Sequence, residues 1–163
     1  EAQIPQVPVN FVPPPVAGSP NPKISPVPLT AYKEGGHAGG VEGSSGTFGW
    51  PMTSRSLSQY YTRYHLGIDI TAPTGTPVYA SDGGIVLRAG WWLGGFGNAV
   101  KLDHGNGFTT SYAHMSRILV SVGQKGSKGQ VIGEVGSTGR ATGPHTHFVV
   151  QKDGKSLNPL GVF

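Results

Sequence analysis

The chain has 163 residues, enough for one domain or for a smaller domain with a long tail, and its formal net charge is +4. It contains 27 glycines and 14 prolines but only 12% charged residues, which excludes a helical bundle or coiled coil and favours short strands joined by tight turns. Cysteine is absent, which excludes disulfides, thiolate zinc sites and cysteine nucleophiles, so any bound metal must be held by His, Asp or Glu.

The first part of the chain, residues 1–45, is predicted to be a Pro- and Gly-rich arm or linker. Nine of the prolines fall within residues 1–28, and residues 34–49 are rich in Gly and Ser. Proline lacks a backbone donor and favours the extended polyproline II conformation, so we expect a spacer rather than part of a folded core. The chain begins with Glu1 and shows no signal peptide, so we expect a processed or trimmed product.

Residues 46–163 are predicted to form the folded domain. They carry ten basic and five acidic side chains, and this net charge of +5 would suit an anionic cell wall or a nucleic acid. The basic residues are scattered singly, without the basic run or interleaved aromatic residues that mark a nucleic-acid surface. Charge alone leaves both partners open, and our prediction is that there is no nucleic-acid partner. No apolar run approaches the roughly 18 residues needed to cross a bilayer, so no membrane span is predicted in this chain.

The first candidate site element is the segment from His65 to Asp69. In a straight strand these two side chains would be separated by roughly 13 Å, which is too far apart to share one metal ion. Gly67 lies between them and permits a sharp bend. Such a bend would bring both side chains to one point.

Alternating apolar and polar residues predict a β-hairpin in the middle of the domain. The alternation is clear in the strand 98–103, and Asn106–Gly107 is a strong signal for a hairpin turn. In the returning strand, 108–114, one face is predicted to carry Phe108, Thr110, Tyr112 and His114. Further strands are predicted at 77–80, 84–89, 130–135 and 145–152. No segment predicts a long helix, so the predicted fold class is all-β with antiparallel sheets of short strands.

The strand at 145–152 carries the second candidate site element, His145–Thr146–His147. Residues i and i+2 of a strand point to the same side, so both imidazoles face one surface together with Val149. Alone, this pattern is typical of two exposed histidines on a sheet. With His65 and Asp69 upstream it predicts a zinc site, because two histidines and one carboxylate with an open fourth position form the ligand set of a hydrolytic zinc centre.

Other conspicuous residues receive simpler interpretations. His37 lies in the Gly-rich connector and His104 lies at the hairpin turn, so both are predicted to be solvated loop residues. Trp91 and Trp92 lie in a predicted Gly-flanked loop. They would either line a substrate groove or pack on the sheet, and the sequence leaves both interpretations open.

Three short motifs follow one another along the predicted domain: H-x-x-x-D, Y-A-H and G-P-H-x-H. They lie within HLGIDITAPTGTPVYASDGGIV, GNAVKLDHGNGFTTSYAHMS and VGQKGSKGQVIGEVGSTGRATGPHTHFVV, and NPL follows. In these stretches, nearly all of residues 48–163 resemble the lysostaphin-type, or LytM-like, zinc endopeptidases that cut peptide cross-links of bacterial peptidoglycan. The resemblance implies an antiparallel β fold with a narrow groove over the sheet, related to the hybrid barrel-sandwich.

Carried over residue by residue, the resemblance implies that His65, Asp69 and His147 are the zinc ligands. It implies that His114 and His145 are catalytic histidines that do not bind the metal. Zinc would acidify a bound water and polarise the scissile carbonyl, and an imidazole with a pKa of about 6.5 could accept the proton. The implied substrate is a peptidoglycan peptide, cut at a glycyl bridge or at a D-Ala–diaminopimelate link, in the bacterial cell envelope, periplasmic or secreted.

The sequence departs from the family's usual H-L-H-F-E pattern at Thr146 and Val149. Thr146 should face away from the metal, whereas Val149 replaces a frequent acid on the face of the histidines. No ligand is lost, which favours an active enzyme over the alternative, a non-hydrolytic wall-binding or amidase-activating relative. The family often places a tyrosine beside the metal, and the candidates are Tyr60, Tyr61 and Tyr64. In relatives an upstream segment can occupy the groove, so an inhibitory arm is the alternative to a spacer.

Overall fold

The computed structural model describes residues 44–163 and confirms the all-β fold class. These residues form eleven short strands and one 3₁₀ turn. The strands are β1 (Leu57–Gln59), β2 (Ile68–Thr71), β3 (Pro77–Tyr79), β4 (Gly84–Trp92), β5 (Gly97–Gly105), β6 (Phe108–Met115), β7 (Arg117–Ile118), β8 (Lys125–Gly126), β9 (Val131–Glu134), β10 (His145–Lys152) and β11 (Lys155–Leu157), and the 3₁₀ turn is Pro159–Gly161. Within this part of the chain, no helix has the length and apolar character of a membrane span.

Strand β10 lies inside a large antiparallel sheet, between β2 and β6. The strand order is β1–β2–β10–β6–β5–β4–β8, with β11 also paired to β10, while β3, β9 and β7 form a second, smaller sheet. On β10, His147 lies opposite Asp69 of β2 on one side and opposite Ala113 of β6 on the other. The ladder register therefore brings the His65–Asp69 segment and the His145–His147 segment side by side.

The alternation of β10 separates a core face from a second face. Thr146, Phe148 and Val150 are fully buried, and the Phe148 ring packs on Tyr112 with ring centroids 5.3 Å apart. This face belongs to one hydrophobic core that also includes residues of the smaller sheet, such as Ile132. Because side chains alternate along a strand, the neighbouring histidines project from the opposite face. The prediction that Thr146 faces away from them is confirmed.

The predicted hairpin and the longer strands are confirmed. Asn106 and Gly107 form the turn between β5 and β6, with positive φ values of 52° and 81°. The strands predicted at 77–80, 84–89, 130–135 and 145–152 correspond to β3, β4, β9 and β10. Strands β1, β2, β7, β8 and β11, each of two to four residues, were not predicted.

The prediction of a loop at Trp91–Trp92 is wrong. Both residues end β4, because β4 keeps pairing with β5 as far as Trp92 and Gly97. The Trp92 ring packs on Phe96 with centroids 5.4 Å apart, and the Arg88 guanidinium lies 4.3 Å from the Trp92 ring centroid. Trp92 therefore packs on its own hairpin.

The predicted arm, residues 1–45, lies outside the described residues apart from its last two, and His37 lies outside them as well. Ser44 and Ser45 are held by Asp82. The Ser44 hydroxyl donates to Asp82 Oδ2 at 3.0 Å, and the Ser45 backbone N–H donates to Asp82 Oδ1 at 2.8 Å. The boundary between arm and domain remains a prediction.

Candidate active site

A cleft of about 420 Å³ opens over the exposed face of β10. Its walls come from segments that are distant in sequence, and they include all five residues to which the resemblance assigns chemistry: His65, Asp69, His114, His145 and His147. Phe96 of the β4–β5 loop and Arg140 of the loop before β10 also line the cleft. The structure thus gathers the five predicted site residues in one place.

Three of these residues converge on a single point. Asp69 Oδ1 lies 3.1 Å from His65 Nε2 and 2.7 Å from His147 Nδ1. One ligand atom from each of the three residues lies within 4.8 Å of the others. His145 is close as well, with Nε2 3.6 Å from Asp69 Oδ2. The carboxylate is therefore the centre of the cluster.

Gly67 allows this convergence by leaving space rather than by its backbone freedom. A Cβ atom at this position would lie 2.6 Å from the Phe148 carbonyl oxygen and 2.8 Å from His147 Cε1. It would also lie 3.1 Å from Val149 Cγ2. The chain between His65 and β2 therefore passes so close to β10 that no side chain fits there.

A bulge at the end of β6 determines where His114 points. In the β5–β6 ladder Val100 pairs with Tyr112, whereas Asn98 pairs with Met115, so β6 contains one extra residue in this interval. His114 has a left-handed φ of 62°. Non-glycine residues seldom adopt this conformation, and such strain is often found at functional sites.

The prediction that His114 shares a face with Phe108, Thr110 and Tyr112 is therefore wrong. Tyr112 is fully buried in the core, but the His114 ring lies on the cleft face with its centroid 4.7 Å from that of His145. The bulge adds one residue and the positive φ turns the side chain over, and bulges commonly redirect a side chain in this way. Alternation alone cannot reveal such a reversal.

Backbone carbonyl groups orient three of the four cleft histidines. His65 Nδ1 lies 2.9 Å from the Tyr60 carbonyl oxygen. His114 Nδ1 lies 2.8 Å from the Thr138 carbonyl oxygen, and His145 Nδ1 lies 2.8 Å from that of Gly143. A carbonyl oxygen only accepts, so Nδ1 donates the hydrogen bond in each ring and Nε2 is left facing the cleft. Because these partners are main-chain atoms, no side-chain pattern in the sequence could have identified them.

The charges in the cleft favour an ionised carboxylate and a neutral imidazole. Burial by itself raises the pKa of Asp69, but the His147 hydrogen bond and the nearby histidines outweigh it and hold that pKa below its usual value. Burial lowers the pKa of His114 and outweighs the opposing hydrogen bond with the Thr138 carbonyl. Both groups are therefore in the forms that bind a cation or accept a proton.

Among the three candidate tyrosines, Tyr64 is the one that lines the cleft. Its side chain is 83% exposed, so it is free to contact a bound molecule. Tyr61 is turned away, because its hydroxyl donates to the Ser156 carbonyl at 3.1 Å. Tyr60 contributes only the backbone carbonyl that faces His65.

His104 lies away from the cleft, and the prediction that it is solvated is wrong. Only 2% of it is exposed, because β5 continues through Gly105 and the turn begins one residue later. His104 Nδ1 lies 2.8 Å from the Gly83 carbonyl oxygen, and Nε2 lies 2.7 Å from Thr110 Oγ1. Burial lowers the pKa of His104 despite the opposing Gly83 hydrogen bond.

The donor set of the cluster fits a zinc ion. Imidazole nitrogen and carboxylate oxygen are the ligands that zinc takes besides thiolate, and catalytic sites use three protein ligands with one open position. His65, Asp69 and His147 offer these donors at one point, and they face a cleft that a substrate can enter.

The sequence profile of Peptidase family M23 matches residues 63–159, which is more than half of the chain. The chain is 49% identical over 100 residues to the DD-carboxypeptidase/endopeptidase Mpg of Neisseria meningitidis. That alignment covers 61% of this chain but only 23% of the relative, so the chain spans about a quarter of that protein's length.

Two solved structures have similar folds. A zinc containing peptidase from Vibrio cholerae matches with a TM-score of 0.63 and 30% identity, over 69% of this chain and 39% of that one. The catalytic domain of the antimicrobial peptidase lysostaphin from Staphylococcus simulans matches with a TM-score of 0.57 and 30% identity, over 82% of this chain and 92% of that one. The family profile and both folds agree with the motifs and the cleft, and the chain therefore belongs to peptidase family M23.

Proposed function

We propose that this chain is a zinc endopeptidase that hydrolyses peptide cross-links of peptidoglycan in the bacterial cell envelope, periplasmic or secreted. One observation carries the proposal: His65, Asp69 and His147 meet at one point of an open cleft, with two further histidines beside them. The name of the Neisseria relative, a DD-carboxypeptidase/endopeptidase, supports the choice of reaction. The catalytic unit is residues 46–163, and residues 1–45 are an arm.

His65, Asp69 and His147 would hold the zinc ion. When bound, zinc supplies Lewis acidity, which polarises a carbonyl group and makes water more acidic. The chain prepares the ligands in advance, because the Tyr60 carbonyl fixes the His65 ring and the β2–β10 ladder places His147 opposite Asp69. Such outer partners orient metal ligands and raise their basicity.

His114 and His145 act on protons. Their ring centroids are 4.7 Å apart, and a backbone carbonyl holds Nδ1 of each ring. Nε2 of one ring accepts a proton from the attacking water as the new C–O bond forms. The C–N bond of the amide then breaks, and the leaving nitrogen takes up that proton.

The cleft supplies binding as well as chemistry. Tyr64 and Phe96 line it, and the Phe96 ring lies edge-on to His147 with centroids 5.6 Å apart. Aromatic walls of this kind bind the backbone and apolar side chains of an extended peptide while excluding water from the reacting groups. Peptide stems of peptidoglycan have this extended, thin form.

The test is digestion of purified peptidoglycan by the full chain loaded with zinc, with products separated by liquid chromatography and identified by mass. We expect cross-linked muropeptide dimers to disappear and monomers to accumulate, with glycan strands left intact. His147→Ala should leave the dimers uncut. Intact cross-links in the presence of folded, fully zinc-loaded protein would instead favour the non-hydrolytic alternative.

A further inference from the structure

Arg140 places a permanent positive charge in the cleft, and the proposed chemistry gives it no role. It lies in the loop between β9 and β10 and lines the cleft together with Asp69 and the histidines. Its side chain is exposed, and among residues 44–163 no carboxylate forms an ion pair with it. The guanidinium is therefore available to an anionic ligand in the cleft.

The backbone of Arg140 is fixed against the β4–β5 loop, which also lines the cleft. Its N–H donates to the Gly95 carbonyl in the β4–β5 loop at 2.7 Å. The preceding Gly139 has a φ of 72°, and a Cβ there would lie 2.4 Å from the same Gly95 oxygen. Two loops that pack this closely hold the arginine at a defined place.

The same loop also positions one of the proposed catalytic histidines. The Thr138 carbonyl accepts from His114 Nδ1 at 2.8 Å, and the Thr138 hydroxyl donates to the Met115 carbonyl at 2.7 Å. Arg140 follows only two residues later. A substrate group held by Arg140 would therefore lie in the same cleft as the bond on which His114 acts.

We propose that Arg140 binds a free carboxylate of the peptide substrate next to the scissile amide. This inference rests on the proposed function and distinguishes between the two bonds that the sequence leaves open. In a D-Ala–diaminopimelate link, the carbon that bears the scissile nitrogen also carries a carboxylate. In a glycyl bridge, the corresponding carbon is an uncharged methylene with no carboxylate side group. A guanidinium binds a carboxylate through two parallel hydrogen bonds, which gives both affinity and orientation.

A pair of synthetic cross-linked peptides tests the proposal. One carries diaminopimelate and the other lysine on the amine side of the scissile amide, so the two differ only by the carboxylate. We expect the wild-type chain to cleave the diaminopimelate peptide with a kcat/KM about 10–100-fold higher, as loss of a charged hydrogen-bond pair predicts. Arg140→Gln should remove this preference with little change for the lysine peptide, and Arg140→Lys should restore part of it.

The matched control is Arg117→Gln, which removes one positive charge from β7, where Arg117 pairs with Glu134 at 3.7 Å. This variant should keep the wild-type preference. Binding of the two peptides to the zinc-free chain, measured by calorimetry, reports on Arg140 without hydrolysis. If neither peptide is cleaved but binding depends on Arg140, the endopeptidase proposal fails and the carboxylate site stands. Equal binding of the two peptides by the wild-type chain, or an unchanged preference in Arg140→Gln, would overturn the inference.

Discussion

Two groups of histidines in this domain differ in how their ring nitrogens are used. In the cleft, His65, His114 and His145 each give one nitrogen to a backbone carbonyl and keep the other for the cleft. His104 in β5 uses both nitrogens inside the protein, on the Gly83 carbonyl and the Thr110 hydroxyl, and it is 2% exposed. The same side chain thus has a proposed chemical role in one place and a structural role in the other.

The difference shows that the surroundings, not the residue type, decide what a histidine does. A ring whose second nitrogen faces a cleft can bind a metal or move a proton without breaking its hydrogen bond to the backbone. A ring with two internal partners would lose a buried hydrogen bond in doing so, which costs about 1–3 kcal/mol. Variants in the two groups should therefore affect different measurements.

The largest effect is expected from His147→Ala. This variant removes one of the three proposed zinc ligands, so we expect hydrolysis of a cross-linked peptide to fall to the level of the zinc-free protein. Rates should be measured across a range of zinc concentrations. Val149→Ala, on the same face of β10, is the matched control and should keep activity. If a modest zinc concentration restores the wild-type rate to His147→Ala, His147 is not a zinc ligand.

The next largest effect is expected from His114→Asn. Asparagine tolerates the left-handed φ of 62° at this position, so the bulge is retained while the imidazole proposed to transfer protons is lost. The rate constant kcat should fall by about 10²–10⁴-fold, the usual contribution of general acid–base catalysis, with KM little changed. Steady-state kinetics on a soluble peptide measure both constants. A kcat within a few-fold of wild type would mean that His114 is not the proton acceptor.

His104→Ala should affect stability rather than chemistry. Removing the ring leaves the Gly83 carbonyl without its partner and takes one of two partners from the Thr110 hydroxyl, so we expect the free energy of unfolding to fall by about 1–3 kcal/mol. Urea unfolding monitored by fluorescence gives this value. At a temperature where the variant stays folded, kcat/KM should match wild type, and a large loss of kcat/KM would place His104 among the functional residues.

The smallest expected effect is the contribution of His104 to the pH dependence of the free energy of unfolding. Because its folded-state pKa is lowered, chiefly by burial, the unfolded chain binds more protons, and stability falls as pH decreases from about 7.5 through the unfolded pKa of about 6.5. His104→Ala lacks this loss. The stability difference between wild type and variant should therefore shrink between about pH 7.5 and pH 5. A constant or growing difference would show that His104 is not held neutral in the folded state.

The longer strands and the hairpin follow from alternation and turn residues. The residues of the candidate metal cluster come from the resemblance of their motifs to the lysostaphin-type endopeptidases. Prediction from the sequence fails where the backbone conformation of one residue redirects its side chain. The bulge at His114 reverses a side chain without changing the pattern of residue types, and the burial of His104 depends on where β5 ends. The orienting groups are carbonyls of Tyr60, Thr138 and Gly143, which every residue type possesses.

The most direct test of the division between the two groups is the zinc content of four purified proteins: wild type, His147→Ala, His114→Asn and His104→Ala. Each is loaded with zinc, freed of unbound metal by gel filtration and analysed by mass spectrometry, with circular dichroism to confirm folding. One zinc per chain is expected in wild type, His114→Asn and His104→Ala, and almost none in His147→Ala. Full zinc in folded His147→Ala, or loss of zinc from folded His114→Asn, would contradict the proposed division between metal ligands and proton-transferring histidines.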